Sequence, residues 1–131
     1  MPLSDSFAMA CDAAASIAAK CTGSFLDRVT SASTGSRSLV DISLSQVAEH
    51  GEVAFSFERI WYAAFSNLDN LEASFVDEVV VSRLSGQSDE WPDIPRRTIK
   101  VFDGMPDLVY FHLRGPVELV VIAAIVSVLK A

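Results

Sequence analysis

Three residues near the end of the chain could carry out acid-base chemistry together. Tyr110, His112 and Arg114 alternate along the segment DLVYFHLRG, and alternate residues of a β-strand point to the same face of its sheet. Their types could supply a proton acceptor, a proton donor and a cation that stabilises developing negative charge. The alternative interpretation is structural. The outward face of a hairpin is normally polar, and Tyr110 and His112 could simply cap the sheet.

Other charged groups define which partners and ions we expect. Arg96, Arg97 and Lys100 precede this segment, but the whole chain is acidic, with 17 Asp and Glu residues against 10 Lys and Arg residues and a net charge of -7. Because an acidic surface repels phosphate backbones, we expect no direct sequence-specific binding of nucleic acid. His50 has no second ligand three or four residues further along the chain, so we expect no metal site and no cofactor.

The hydrophobic end of the chain predicts a strand rather than a membrane anchor. The apolar run from Val117 to Leu129 includes Glu118 and is shorter than the roughly 20 apolar residues of a spanning helix. Its Val and Ile content favours extended structure, and its continuous apolar character indicates burial on both faces. We therefore expect a central strand from Val117 to about Val126.

Two more strands are predicted before it. Val109, Phe111 and Leu113 form an apolar face in DLVYFHLRG, and the Gly-Pro pair that follows predicts a tight turn into the last strand. The alternation of RRTIKVFDGMPD predicts a third strand, ended by a turn at Asp103 and Gly104. These three strands would form an antiparallel meander.

Two helices and a first strand are predicted upstream. Apolar residues recur at helical spacing in SQVAEHGEVAFSFERIWYAAF and in NLEASFVDEVVVSRLSG, and the short connection between them predicts an antiparallel helical hairpin. The alternating segment SLVDISL predicts the first strand. The expected fold is therefore α+β, a two-helix hairpin packed on a mostly antiparallel four-stranded sheet in the order β-α-α-β-β-β.

The first 37 residues are predicted to form a separate N-terminal part. Residues 1-37 combine an alanine-rich helical segment with the Ser/Thr/Gly linker TSASTGSRS, and residues 38-131 would form the main domain. Cys11 and Cys21 have no metal-ligand spacing, and buried free thiols are expected rather than a disulfide. No basic residue precedes the apolar residues of the N-terminus, so we expect no secretory signal and a cytoplasmic protein.

These pieces, taken together, resemble the RelE/ParE superfamily, the toxins of type II toxin-antitoxin modules. The resemblance extends from Ile42 to Ile125. VDISLSQVAE is similar to that family's opening strand and first helix, RIWYAAF to the end of that helix, NLEASFVDEV to its second helix, and the segment from EWPDIPRR to VVIAAI to its sheet. One departure is the end of the last strand, AIVSVLKA, which has Ser127, Leu129 and Lys130 where family members commonly have a histidine followed by basic residues.

The resemblance implies growth inhibition by binding to DNA gyrase, as in the ParE-like branch. Arg96, Arg97, Lys100 and Arg114 would then contact the target. The alternatives are a ribosome-dependent mRNA endoribonuclease that uses Tyr110, His112 and Arg114 as catalytic residues, and an inactive member of the fold that only binds a protein.

A partner protein is also implied by the resemblance. A cognate antitoxin would neutralise the toxin by covering its hydrophobic surface, with Trp61, Tyr62 and Leu129 as the expected contacts. Residues 7-20 of this chain could instead dock on that surface in cis.

Overall fold

The computed structural model describes residues 3–35, 37–67, 74–85 and 91–130. These residues contain two helices and six strands. In chain order they are α1 (Leu3–Ala18), β1 (Phe25–Thr34), β2 (Arg37–Val47), β3 (Gly51–Ser66), β4 (Glu78–Leu84), α2 (Asp93–Thr98), β5 (Leu108–Arg114) and β6 (Glu118–Lys130).

All six strands belong to one antiparallel sheet. Their order is β1-β2-β3-β6-β5-β4, and every neighbouring pair is antiparallel. The longest ladder joins β3 to β6, from Val53 opposite Lys130 to Ser66 opposite Glu118. These two long strands form the centre of the sheet, and the other strands are arranged on either side of them.

The sheet curls until its two edges meet at one end. Gly23 donates its backbone N–H to the carbonyl of Val76 at 2.8 Å, and Val76 donates to the carbonyl of Ser24 at 2.8 Å. The backbone N–H of Leu26 reaches the carbonyl of Ser74 at 2.9 Å. These bonds connect the start of β1 with the segment that leads into β4, so we call this the closed end.

Helix α1 packs against the inner face of the curled sheet, on β4 and β6. Alanine and cysteine dominate its buried side, and such small side chains let a helix approach a concave sheet closely. Phe111 lies at the centre of the core, with its ring 5.2 Å from the rings of both Phe55 and Phe57. The other large, fully buried side chains of this core are Ile42, Leu44, Val53, Val76, Leu113 and Leu119.

A second, smaller core lies on the outer face of β5 and β6, beneath the segment that carries α2. Trp91 is buried there and donates its indole N–H to the carbonyl of Ser85 at 2.9 Å. The other buried members are Leu84, Met105, Leu108, Tyr110, Val120 and Ile122. Because β6 is covered on both faces, its sequence is continuously apolar.

The predicted helical hairpin on a four-stranded sheet is wrong. Residues expected in the first helix form β3, where Val53, Phe55 and Phe57 are buried at every second position. Residues expected in the second helix include β4, a short strand rich in valine. Aromatic and β-branched residues also fit a strand, and pairing with β6 and β5 satisfies the backbone of both segments. Residues 68–73 of the predicted hairpin lie outside the described part.

Two further expectations are corrected by the structure. The predicted strand in RRTIKVF is replaced by the short helix α2 and irregular chain, because Pro92 precedes Asp93 and the carboxylate of Asp93 pairs with both Arg96 and Arg97 one turn later. The predicted linker TSASTGSRS instead lies in the β1–β2 hairpin, with Gly35 at φ 58° in its turn. The suggested boundary at residue 37 coincides with the start of β2.

The C-terminal hairpin was predicted correctly. β5 has Val109, Phe111 and Leu113 on one buried face, and β6 follows after the turn as a central strand between β3 and β5. The N-terminal segment contains the expected helix, and both cysteines are free and buried. Among residues 3–35, 37–67, 74–85 and 91–130, no helix is long and apolar enough to cross a membrane.

Candidate functional site

The two central strands are kinked at neighbouring positions. On β3, Phe57 and Ile60 contact the same inner core although they are three residues apart, and on β6 the same holds for Ala123 and Val126. In a regular strand, every second side chain points to the same face of the sheet. A spacing of three between side chains on one face therefore means that both strands change this alternation here. Arg59 lies at this point of β3 with a left-handed backbone, φ 57°, and the register with β6 shifts just beyond it, between Ile60 and Tyr62.

A pocket opens beside this kink, where the β5–β6 ladder ends. The pairing of β5 with β6 stops at Val109 and Ala123, so β6 continues past the start of β5 toward its own C-terminus. The first turns of α1 face the space beside this unpaired part of β6. The resulting cavity, which we call the mouth pocket, has a volume of about 800 Å³. Three other depressions measure about 330, 250 and 290 Å³.

The mouth pocket has an apolar wall and a charged rim. Its apolar residues are Phe7, Ala10, Pro106, Ala124, Ile125 and Val126. Its polar residues are Ser6, Arg59, Arg83, Ser85 and Asp107. Small-molecule sites are typically clefts of about 300 to 1,000 Å³ with mostly apolar linings and a few placed polar groups. The mouth pocket matches this description in volume and in composition.

The two arginines of the pocket differ in their partners. Arg83 donates from Nη2 to a carboxylate oxygen of Asp107 at 2.7 Å and from Nε at 3.1 Å, and this hydrogen bond is the main reason that the pKa of Arg83 is raised. Arg59 has no hydrogen-bond or ion-pair partner among the residues that the structure describes. The carboxylate of its neighbour Glu58 pairs instead with Arg37 at 3.1 Å.

A cysteine lies close to this charged rim without being reactive. Cys11 of α1 is buried, and burial raises the pKa of its thiol to about 11, while the charge of Arg83 lowers it only in part. The thiolate is the nucleophilic form of cysteine. At neutral pH this thiol is therefore protonated and unsuited to covalent chemistry.

The structure brings Tyr110 and His112 together with Glu118, which the sequence analysis had not selected. The hydroxyl of Tyr110 lies 2.9 Å from Nδ1 of His112, and Nε2 of His112 lies 2.8 Å from a carboxylate oxygen of Glu118. Tyr110 is buried, and desolvation raises the pKa of its phenol, helped by the charge of Glu118. Since both ring nitrogens of His112 are hydrogen-bonded, neither is free to take a proton from a bound molecule.

The predicted target-binding cations are distributed over two places. Arg114 pairs with Glu78 on the edge strand β4 at 3.5 Å, instead of joining the Tyr110 and His112 network. Arg96 and Arg97 of α2 both pair with Asp93, and Lys100 is exposed just beyond this helix. Three of the four cations are therefore already paired with carboxylates.

The predicted antitoxin contacts are also separated. Trp61 stacks on Phe102 with ring centroids 6.1 Å apart, and Tyr62 packs against the outer core. Leu129 is 67% exposed and pairs with Ala54. Trp61 is adjacent to the residue opposite Ala123, which places it about 20 Å from Leu129 along the strand.

Arg59 and Arg83 were missed by the sequence analysis, although a signal for them is present. Arg59 follows Val53, Phe55 and Phe57 at the next alternate position of β3, and Arg83 follows Val79 and Val81 in the same way on β4. A charged residue where the pattern predicts a buried apolar one is an exception to that pattern, and in the structure both side chains are exposed. Reading these segments as helices concealed the signal.

The toxin interpretation depended on the helical hairpin, which the structure replaces with strands. Gyrase inhibition, ribosome-dependent RNA cleavage and antitoxin binding therefore stay predictions of the resemblance alone. Because no protein-family model and no curated protein sequence matches this chain, its function has to be argued from the geometry of the mouth pocket.

Proposed function

We propose that this chain is a binding protein for a small, largely apolar molecule held in the mouth pocket. The observation that supports this proposal best is the pocket itself, a cavity of about 800 Å³ with an apolar wall of α1 and β6 residues and polar groups at one side. Apolar surface in such a cavity gains roughly 25 cal/mol per Å² when a ligand removes it from water. The curled sheet holds the wall in place without a ligand.

The lining residues favour binding over catalysis. The ionisable side chains among the described lining residues are Arg59, Arg83 and Asp107. Guanidinium groups do not lose their proton in proteins, and the carboxylate of Asp107 already accepts two hydrogen bonds from Arg83. A carboxylate held in this way is poorly suited to act as a general base, so these groups are better suited to orienting a ligand than to transferring a proton.

Titration with N-phenyl-1-naphthylamine, an uncharged apolar dye, tests the proposal. We expect saturable binding, seen as a rise in dye fluorescence. The variant Ala10→Phe places a ring in the pocket, because Ala10 lines it, and should weaken dye binding about tenfold or more. Ala13→Phe is the matched control, since Ala13 lies on the same helix with its side chain exposed, and it should bind the dye as the unchanged protein does.

Two results would contradict the proposal. One is the absence of saturable dye binding by the unchanged, folded protein. The other is equal dye binding by the Ala10→Phe and Ala13→Phe variants, which would place the dye elsewhere. Circular dichroism of both variants would establish that they keep the fold before their binding is compared.

A further inference from the structure

Among the described residues that line the mouth pocket, the charges do not balance, and the imbalance is positive. The charge of Arg83 is neutralised by Asp107, whose carboxylate oxygen lies 2.7 Å from Nη2. The charge of Arg59 is not neutralised by any described residue. Glu58, the acidic residue next to Arg59 in the chain, is already paired with Arg37. One uncompensated cation therefore lines the pocket of a chain whose net charge is -7.

The backbone of Arg59 shows that local structure does not favour an arginine there. Its φ of 57° lies in the left-handed region, which is costly for a residue with a side chain. Gln46, Glu49 and Asn67 share this conformation, but they lie at or near strand ends, whereas Arg59 lies in the middle of β3. Strained residues within regular elements are concentrated at binding and catalytic sites.

The surroundings of Arg59 define what it could bind. Arg59 is exposed and lines the same pocket as Ile125 and Phe7, so a ligand that reaches it also contacts apolar surface. A guanidinium is planar and presents paired N–H donors, which match the two oxygens of a carboxylate. A single uncompensated positive charge is balanced by a ligand with a single negative charge.

From these observations we infer that the ligand of the mouth pocket is an amphipathic carboxylate, a monoanion with an apolar body, and that Arg59 binds its carboxylate. This inference rests on the proposed function and adds the chemical class of the ligand. The apolar body lies along the wall formed by Phe7, Ile125 and Val126, and the ion pair of Arg83 with Asp107 borders the pocket without needing a ligand.

A matched pair of ligands tests the inference. Decanoate and 1-decanol have the same chain length and differ in the charge of the head group, so each can be titrated against the bound neutral dye. We expect decanoate to bind about tenfold more tightly than 1-decanol, because a charge-assisted hydrogen bond adds to the shared apolar contact. Raising the salt concentration should reduce this preference by screening the charge.

Variants of Arg59 test whether this residue causes the preference for decanoate. Arg59→Gln removes the positive charge and should abolish the preference, so that decanoate and 1-decanol bind this variant with similar affinity. Arg59→Lys keeps the charge and should retain most of the preference. Arg28→Gln is the matched control, because it makes the same change in net charge at an exposed position of β1, outside the mouth pocket, and it should retain the preference in full.

The outcomes separate this inference from the proposed function. If decanoate and 1-decanol bind the unchanged protein equally well, the inference is wrong and the apolar binding function stands. If neither displaces the dye and the dye itself does not bind, the proposed function is wrong as well. A preference for decanoate that survives in Arg59→Gln would also overturn the inference, because the carboxylate would then be bound by another group.

Discussion

Arg83 and Asp107 are joined by two hydrogen bonds that end on a single carboxylate oxygen, from Nη2 at 2.7 Å and from Nε at 3.1 Å. Arg83 belongs to the edge strand β4, and Asp107 immediately precedes β5. The bond therefore fixes one side of the mouth pocket and neutralises one of its two arginines. Substituting one of these two residues therefore changes the net charge of the pocket.

Asp107→Asn should strengthen the binding of anionic ligands. The substitution removes the negative charge that neutralises Arg83, so the pocket gains a second uncompensated cation. We expect decanoate affinity to rise about two- to fivefold, the range for partly exposed charges, and 1-decanol affinity to stay the same. Displacement titrations of the neutral dye measure both. Asp27→Asn, an exposed change of equal charge on β1, should leave both affinities unaltered; an equal gain there would indicate a general charge effect.

Replacing Arg59 by glycine should stabilise the fold, whereas replacing it by alanine should not. Glycine adopts positive φ without the steric cost that a Cβ atom brings. We expect Arg59→Gly to be more stable than Arg59→Ala by about 1 kcal/mol, measured as the free energy of unfolding in urea. Both variants should lose the preference for decanoate. Equal stability of the two would show that φ 57° at this position carries no strain.

Gly115→Ala should open the closed end of the sheet. A Cβ atom on Gly115 would lie 2.5 Å from the backbone oxygen of Phe75, in the segment that connects β1 with β4. Relieving that clash has to move the segment, and we expect a loss of about 1 to 3 kcal/mol in the free energy of unfolding. Amide hydrogen exchange should show faster exchange at Gly23 and Val76, which bond across this end. Unchanged exchange at these amides would contradict the prediction.

Stability should fall between pH 9 and pH 11 because of the two buried thiols. Burial raises the pKa of Cys11 and of Cys21 from 9.0 to about 11. In this range the unfolded chain loses protons that the folded chain retains, so the free energy of unfolding decreases as pH rises, by roughly 2 kcal/mol per thiol. The contribution is fully present below pH 9. Tyr110, whose pKa is also raised above 10.0, adds to the loss at the alkaline end.

Urea unfolding of a Cys11→Ala/Cys21→Ala double variant, at several pH values and under reducing conditions, checks this prediction. The double variant should be less stable at pH 7 because it loses buried volume. Its stability should nevertheless depend less on pH between 9 and 11. An unchanged slope would mean that the two thiols ionise alike in the folded and unfolded states.

Local patterns predicted the parts of the fold whose partners are close in sequence. The β5–β6 hairpin was predicted because its turn holds Gly115 and Pro116 and its strands alternate or are continuously apolar. Helix α1 was predicted from its alanine-rich composition. The two strands of the hairpin follow one another in the chain, and the hydrogen bonds of a helix join residues four positions apart, so local patterns contain the signal for both elements.

The segments of β3 and β4 were mispredicted because the spacing of their apolar residues fits both a helix and a strand. Phe57, Trp61 and Phe65 recur every four residues, as on a helix, while Val53, Phe55 and Phe57 recur every two, as on a strand. Strand preference depends strongly on what a segment packs against. β3 pairs with β6, whose residues follow about 60 positions later, and a local pattern does not contain that information.

The candidate site depended even more on distant contacts. Arg59, Arg83 and Asp107 come from three segments of the chain, and the turns of α1 that face them come from a fourth. Tyr110 and His112 were correctly placed on one face of a strand, but their partner Glu118 became evident only from the pairing of β5 with β6.

The sequence by itself determined the C-terminal hairpin, the first helix and the buried thiols. Only the tertiary structure decided that residues 51–66 extend as a strand, that the sheet curls around α1, and that a pocket remains where β6 continues past the start of β5. The physical reason is that hydrophobic periodicity and turn propensity act between near neighbours, whereas strand pairing and the closure of a sheet depend on hydrogen bonds and burial between residues far apart in the chain.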